Sequence, residues 1–301
     1  MKSLTICYIS ARKQPCFDWF LDSLHNQLGN SEPPSIIFVD LHCQAEDFIT
    51  TRHGFFIDWT PPKPSVWQGK HRLTNQDWWA ISNARNTGIC LCRTEWVAFL
   101  DDRCVLLPGY LNSIKDAMKG NYAVAGAYEK RFGMKVQNGV IVDGGEVTGV
   151  DPRNTRGSLK RPVNTYGGSW CGCNYALPLE WCLEVNGHDE TCDSLGLEDV
   201  VFGNMIAQNG HVTMYDPRMK IIEDRPRDSG ENMPKRTDKG ISPKDRSHAL
   251  LEKIGASKRA IHPFDLRAER NRMMRGEPWT IPTEPTKDWY DGEPLEKMYV
   301  R

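Results

Sequence analysis

Apolar positions near the amino terminus alternate between short continuous runs and helical spacing. Leu4-Thr-Ile-Cys-Tyr-Ile9 is a β-rich run closed by Ser10-Ala-Arg-Lys-Gln-Pro15, which predicts a strand and a loop. Phe17, Phe20, Leu21, Leu24 and Leu28 then recur at the spacing of one helix face. The turn residues Ser31-Glu-Pro-Pro34 lead into Ile36-Ile-Phe-Val39, a buried strand ended by Asp40. Strand, helix and strand in so short a stretch form a βαβ unit, which implies a parallel sheet.

The pattern then loosens. Residues 58–72 read as loop, with Pro61, Pro62, Pro64 and Gly69 among Trp59, Trp67 and basic residues. Thr74 followed by Asp77 resembles a capping box and predicts a helix running to about Leu91. Trp96-Val-Ala-Phe-Leu100 is the most strand-like segment and delivers Asp101-Asp102. Val124-Ala-Gly-Ala-Tyr128 predicts a further strand, and residues 131–167 read as an insertion in which Asn138-Gly139 marks a hairpin. The rest of that insertion reads as Gly-, Arg- and Asn-rich loop, with regular structure resuming near Gly168 and a helix beginning near Glu198. From Pro217 the chain turns polar, with helices expected around residues 246–254 and 263–274 and a Pro- and Trp-rich tail over 278–301 that wraps the surface. No internal repeat is visible.

Composition narrows the class. The chain has 301 residues, 39% apolar and 26% charged, as in an ordinary globular protein with one large domain plus an appendage. The start, Met-Lys-Ser-Leu-Thr-Ile, lacks the apolar core of a signal peptide, and no apolar run approaches the ~18 residues of a membrane span. A cytoplasmic protein is expected. The ten cysteines include C-x-C pairs at Cys90/Cys92 and Cys171/Cys173 but no C-x-x-C, so they read as buried thiols rather than a zinc site. Net charge is −1, which does not mark a nucleic-acid binder, although residues 216–277 carry 16 Lys and Arg against 11 Asp and Glu.

In open α/β sheets ligands bind outside the carboxyl ends of the strands, where Asp40 and Asp101-Asp102 are predicted to stand. Two adjacent acids repel, and a divalent cation or ribose hydroxyls relieve that cost. Asn83-Ala-Arg-Asn-Thr-Gly-Ile89, Glu95-Trp-Val-Ala-Phe-Leu-Asp-Asp102 and Leu106-Leu-Pro-Gly-Tyr110 resemble, in order, the donor half of the GT-A glycosyltransferases of family 2. Gly167-Gly-Ser-Trp-Cys-Gly, Val185-Asn-Gly-His-Asp-Glu190 and Gly196-Leu-Glu-Asp199 resemble its acceptor half. The resemblance covers roughly residues 3–215. It implies a Rossmann-like α/β fold with a mixed, mostly parallel central sheet flanked by helices. A nucleotide-sugar half would span about 1–115 and an acceptor half about 116–215, with residues 216–301 as a basic C-terminal extension.

The same resemblance implies roles. Asp40 would contact the nucleoside, Arg85 would face the diphosphate, and Asp101 and Asp102 would hold ribose and the metal–diphosphate group of a nucleoside-diphosphate sugar, with UDP as the expected nucleotide. Asp199 would be the base of an inverting transfer, while Glu198, Trp170 and Gly168 would line the acceptor, with Trp170 and Trp67 available for stacking on a sugar or base. This chain departs from the family's D-x-D by placing Arg103 after the pair. Either Mg²⁺ or Mn²⁺ is held by Asp102 and a later acid, Glu223, or Arg103 itself stabilises the leaving diphosphate. His188 and His211 read as ordinary polar residues.

The leading expectation is glycosyl transfer to a hydroxyl of a saccharide or glycolipid. The basic segment prompts an alternative, a DNA glycosyltransferase acting on hydroxymethylated bases. A nucleotidyltransferase would need a glycine-rich loop after the first strand, which Ser10-Ala-Arg-Lys-Gln-Pro15 lacks. A non-catalytic nucleotide-sugar-binding module is disfavoured by retention of Asp101, Asp102 and Asp199.

Overall fold

In a computed structural model, the structure describes residues 2–12, 14–41, 53–64, 80–155, 162–165, 167, 170–193, 197–225, 258–260, 262 and 264–280. The expected strand–helix–strand opening is present as β1 (Leu4–Ser10), α1 (Phe17–Leu28) and β2 (Ser35–Asp40). The apolar face of α1 packs Phe17 and Phe20 onto Tyr8 and Phe38, with ring centroids 4.7–5.7 Å apart. That aromatic cluster fixes the helix against the strands whose ends carry the candidate chemistry.

Three further elements complete the first half. Strand β3 (Ile57–Thr60) pairs with β2, helix α2 (Ile81–Leu91) crosses the sheet, and β4 (Trp96–Asp101) lies beside β1. The described part of α2 begins at Ile81; the Thr74/Asp77 capping box, like Trp67, lies outside the described residues. The Asp193 carboxylate caps α2 instead, accepting from the Ser82 and Asn83 amides at 2.6 and 3.2 Å. Next come β5 (Cys104–Leu106), α3 (Tyr110–Gly120) and β6 (Ala123–Phe132).

The insertion holds more sheet than the sequence suggests. Asn138-Gly139, both at positive φ, join β7 (Lys135–Gln137) to β8 (Val140–Asp143), which is the expected hairpin. The stretch read as loop also contributes β9 (Glu146–Val150), antiparallel to β6, and β10 (Val163–Asn164). Glu146-Val-Thr-Gly-Val150 is exposed along nearly its whole length, so it lacks the one-faced apolar alternation by which a half-buried strand is found. The chain continues through β11 (Asn174–Pro178), α4 (Leu179–Glu184), α5 (Glu198–Gln208), β12 (Thr213–Asp224) and α6 (Leu266–Met274).

The main sheet runs β10-β12-β6-β11-β4-β1-β2-β3. Pairs β1–β2, β1–β4, β2–β3 and β6–β12 are parallel, while β11 runs antiparallel between β4 and β6. Sequence order reverses at β1, where the chain goes out to β2 and β3 and returns to β4 on the other side. Such a switch point opens a crevice at the carboxyl ends of the strands. The register puts Ser10 opposite Asp40 and Ile9 opposite Asp101, so the acids predicted at strand ends stand along one sheet edge.

Strand β12 carries the sheet to Asp224, beyond Pro217 where the sequence turns polar. Pro217 falls within a register shift between Asp216 and Lys220, a bulge that accommodates its missing N–H, and Met219 and Ile221 then return to the core. Helix α6, expected over 263–274, docks on the core through buried Leu266. The segment expected to form a helix around 246–254 and the tail from 281 lie outside the described residues. Among the described residues the cysteines are free thiols, all but Cys16 and Cys171 buried. No described helix is long and apolar enough to cross a membrane.

The Asn186-Gly187 turn ties these parts together. Asn186 accepts from Leu266 N at 2.8 Å, while Asn86 of α2 accepts from His188 N at 2.8 Å and donates to Glu190 Oε1 at 2.9 Å. Gly187 has φ +74°, and an added Cβ would lie 2.3 Å from Asn86 Oδ1 and 2.4 Å from Leu266 Cδ2. Gly187→Ala should therefore lower the unfolding free energy by about 2 kcal/mol or more, read by urea denaturation. Wild-type stability in that variant would contradict this account of the turn.

Candidate active site

Asp101 ends β4, and its amide donates to the carbonyl of Cys173, just ahead of antiparallel β11. That pairing brings the Cys171-Gly172-Cys173 turn to the sheet edge that holds Asp40, Ser10 and Asp101. A small crevice there is lined by Ile9, Ala11, Arg12, Ile81, Asp101, Asp102 and Glu223. A larger cavity of about 480 Å³ opens elsewhere, beside Lys2, Glu95, Trp96 and Pro178 at the opposite end of β4, away from these carboxylates.

Asp102 is buried and already partnered. It accepts from Ser10 Oγ at 2.6 Å and from Arg12 Nε at 2.9 Å. Burial pushes its carboxyl up to about 6, Arg12 and the Ser10 bond pull it down, and neighbouring Glu223 pushes it up again. Arg12 is the cation that the sequence reading missed. Its signal was its place directly after β1, at the carboxyl edge where ligands bind.

Arg103, expected to face a diphosphate, is committed to the fold. Its guanidinium pairs with Asp224 at 2.5 Å and donates to the Gln14 carbonyl at 3.2 Å. Its backbone sits at φ +55°, with the amide donating to Tyr8 Oη at 2.9 Å and Pro15 O at 3.0 Å. Arg103 thus closes the turn after Asp102 and locks it onto the β1–α1 connection. The positive charge on the acidic pair comes from Arg12 and Arg85 instead.

Arg85 is 1% exposed, so its guanidinium is shielded by protein rather than presented to an open crevice. It donates to Glu198 Oε1 at 2.8 Å and to the Gly172 carbonyl at 2.9 Å, and lies 3.5 Å from Asp101 Oδ1. Burial opposes its charge, but Tyr175, Glu198, Asp101 and Asp199 outweigh that and hold its pKa above the usual arginine range. Asp40 is buried at the end of β2, beside Ser10 in register.

Glu198 and Asp199 open α5. Asp199 accepts from Gly172 N at 2.6 Å and from Val200 N at 2.8 Å. Burial and then Glu198 push its carboxyl up to about 6, against the downward pull of Arg85 and the two amides. The acid is therefore ionised at neutral pH with its proton affinity raised toward the working range, as suits a general base.

Two expected acceptor contacts need correction or fall away. Trp170 is 2% exposed and packs with Tyr175 and Phe202, ring centroids 5.1 and 5.8 Å away, so it is core and not a stacking platform. Gly203 of α5 lies directly against its indole, where an added Cβ would stand 2.7 Å from Cγ. Gly168 lies outside the described residues. His188 is also core, hydrogen-bonded to Tyr175 Oη at 2.7 Å and held well below the usual histidine range by burial. His211 stacks on Trp181 and pairs with Glu184.

For a divalent cation, the donor chemistry fits. Asp101, Asp102 and Glu223 line the same crevice, and Asp101 Oδ1 and Glu223 Oε2 are buried oxygens that no hydrogen bond reaches. Glu223 is flanked by Lys130 at 3.5 Å and Arg225 at 3.2 Å. Among the described residues, no three His, Cys, Asp or Glu side chains are already gathered as a metal cage.

The Arg12–Asp102 pair yields a direct prediction. Arg12→Met leaves a buried carboxylate without its cation and should cost about 3–5 kcal/mol of stability at pH 8. Because burial raises this carboxyl above its unfolded value, the folded state takes up a proton at a higher pH than the unfolded chain does. The penalty should therefore shrink at pH 5, where the unpaired carboxyl is neutral. Urea titrations at the two pH values check this, and equal losses at both would contradict it.

Residues 67–172 match the family described as Glycosyl transferase family 2. No curated protein matches the chain in sequence. Among solved structures, TarS 1–349 of S. aureus in complex with UDP is similar at TM-score 0.55 and 12% identity, over 91% of this chain and 70% of that one. TarS 1–349 also matches at TM-score 0.50 and 10% identity, over 74% of this chain and 60% of that one. GalNAc-T7 with UDP, GalNAc and Mn²⁺ matches at TM-score 0.54 and 10% identity, over 75% of this chain and 44% of that one. The chain thus spans under half the length of GalNAc-T7. Residues 67–172 are thus similar to Glycosyl transferase family 2, and the chain shares the fold of the TarS and GalNAc-T7 structures.

Proposed function

We propose that the protein transfers a glycosyl group, with inversion, from a nucleoside-diphosphate sugar to a hydroxyl of a saccharide or glycolipid. One observation carries the reading: the acidic pair at the end of β4 and the Asp199 carboxylate at the start of α5 are joined across the sheet edge by Arg85 and Gly172. Donor-side and acceptor-side acids held through one buried arginine and one backbone turn are what a displacement at an anomeric carbon needs.

In the proposed reaction Asp199 takes the proton of the acceptor hydroxyl. The oxygen attacks the anomeric carbon as the bond from that carbon to the diphosphate oxygen breaks, and the nucleoside diphosphate departs with the electron pair. Asp40 and Asp101 would receive nucleoside and ribose hydroxyls at the ends of β2 and β4. UDP is the preferred nucleotide, since the TarS and GalNAc-T7 structures contain it. Asp102 and Glu223 would hold Mg²⁺ or Mn²⁺, which would neutralise charge on the leaving diphosphate. Arg12, on Asp102, adds a fixed positive charge beside them.

The domain reading is proposed with one refinement: residues up to Asp224, including all of β12, form the transferase sheet, and α6 belongs to its support. A DNA acceptor draws no support from the described part of the basic segment. There Arg218 pairs with Asp216 and Asp116, and Lys220 with Glu129.

Mass-spectrometric turnover of a nucleotide-sugar panel, with and without Mn²⁺ or EDTA, tests the proposal. Transfer or hydrolysis of at least one UDP-sugar is expected, reduced by EDTA; inertness toward every sugar nucleotide would sink it. Asp199→Asn should lower transfer by about 10²-fold or more while leaving UDP affinity within a few-fold. In the wild type the rate should fall as pH drops through about 6, where the base takes up its proton. A flat profile from pH 5 to 8 would refute the assignment of the base.

A further inference from the structure

Arg85 is buried where no solvent compensates its charge, and its contacts divide between the end of β4 and the start of α5. On the donor side lies Asp101, 3.5 Å away; on the acceptor side lies Glu198, 2.8 Å away. The third contact is the Gly172 carbonyl at 2.9 Å, and the amide of that same residue holds Asp199 at 2.6 Å. Gly172 therefore grips the arginine with one backbone group and the base with the other. Its lack of a side chain is required: an added Cβ would stand 2.4 Å from Arg85 Nη2 and 3.0 Å from Cζ.

We propose that Arg85 is a positioning residue for glycosyl transfer, linking donor acid Asp101 to base Asp199 through Glu198 and Gly172. This rests on the reading of Asp199 as the base. A buried arginine that only stabilised the fold would need its charge matched, and Glu198 suffices for that. Here the guanidinium is placed so that its field reaches the base and its hydrogen bond fixes the residue on which the base hangs. Among the described residues, Glu198 on its own helix, Cys171 and Tyr175 from the β11 side, and Cys192 also interact electrostatically with Asp199. Among these described groups Arg85 is the cation, and it favours the ionised base.

The test compares pH–rate profiles and UDP affinity for wild type, Arg85→Gln, Arg85→Lys, Gly172→Ala and Asp199→Asn. Gly172→Ala keeps every charge and adds one methyl that the guanidinium must yield to, so it serves if Arg85→Gln fails to fold. In Arg85→Gln and Gly172→Ala, kcat should fall about tenfold or more. The acidic limb should move up from about 6 by about one pH unit. KM for the donor should stay within about threefold. Arg85→Lys should keep the limb near its wild-type position while recovering only part of kcat, because one ammonium cannot replace the forked contact. Folded Gly172→Ala with wild-type kcat and limb, alongside inactive Asp199→Asn, would overturn the proposal alone. Full activity in Asp199→Asn would remove the base reading and this proposal with it.

Discussion

A guanidinium with 1% exposure sets the terms for the rest of the molecule. Removing a charge from water costs several kcal/mol even after relaxation, and only close, well-directed partners offset it. Arg85 finds those partners on three elements that are distant in sequence: the end of β4, the turn before β11 and the start of α5. Helix α2 must lie against the sheet for this to happen. Its first turn is therefore capped by Asp193, and its Asn86 is bound into the Asn186-Gly187-His188 turn. The fold and the candidate site share one network of buried polar contacts.

Antiparallel β11 is what makes the network possible. A parallel strand beside β4 would bring its own carboxyl end to the crevice. Because β11 runs the other way, its entry turn arrives there and carries Gly172 to both Arg85 and Asp199. The Asp199 carboxylate is thereby held on the Gly172 amide, with the Arg85 side chain between it and Asp101. On the other flank, β12 delivers Glu223 and Asp224 to the same edge. Asp224 is consumed in anchoring Arg103, and Glu223 is left to line the crevice.

Much of this was legible in the residues. The apolar runs of β1, β2 and β4 and the helical spacing of α1 located the strand ends, and the order of motifs led to Asp101, Asp102 and Asp199. What was not legible was pairing at long range. Arg12 and Arg103 both sit beside the acids in the chain or in the sheet, and nothing local says which one touches Asp102. The left-handed turn at Arg103 aims its side chain at Asp224, while Arg12, two residues past β1, reaches Asp102. Trp170 read as a sugar platform because it follows glycines, yet it fills the space between Tyr175 and Phe202. Gly172 carries no chemical signal at all; its importance lies in two backbone bonds and an absent methyl.

The central claim is that a nucleotide sugar is held at the switch point between β1 and β4, with Asp199 facing it from α5. A crystal structure of the protein soaked with UDP and Mn²⁺ tests that most directly. The account predicts the nucleoside along the Asp40–Ser10–Asp101 edge, with the diphosphate and the cation beside Asp102 and Glu223. A nucleotide bound in the cavity beside Lys2 and Trp96, or one that leaves the Asp101–Asp102 edge untouched, would contradict it.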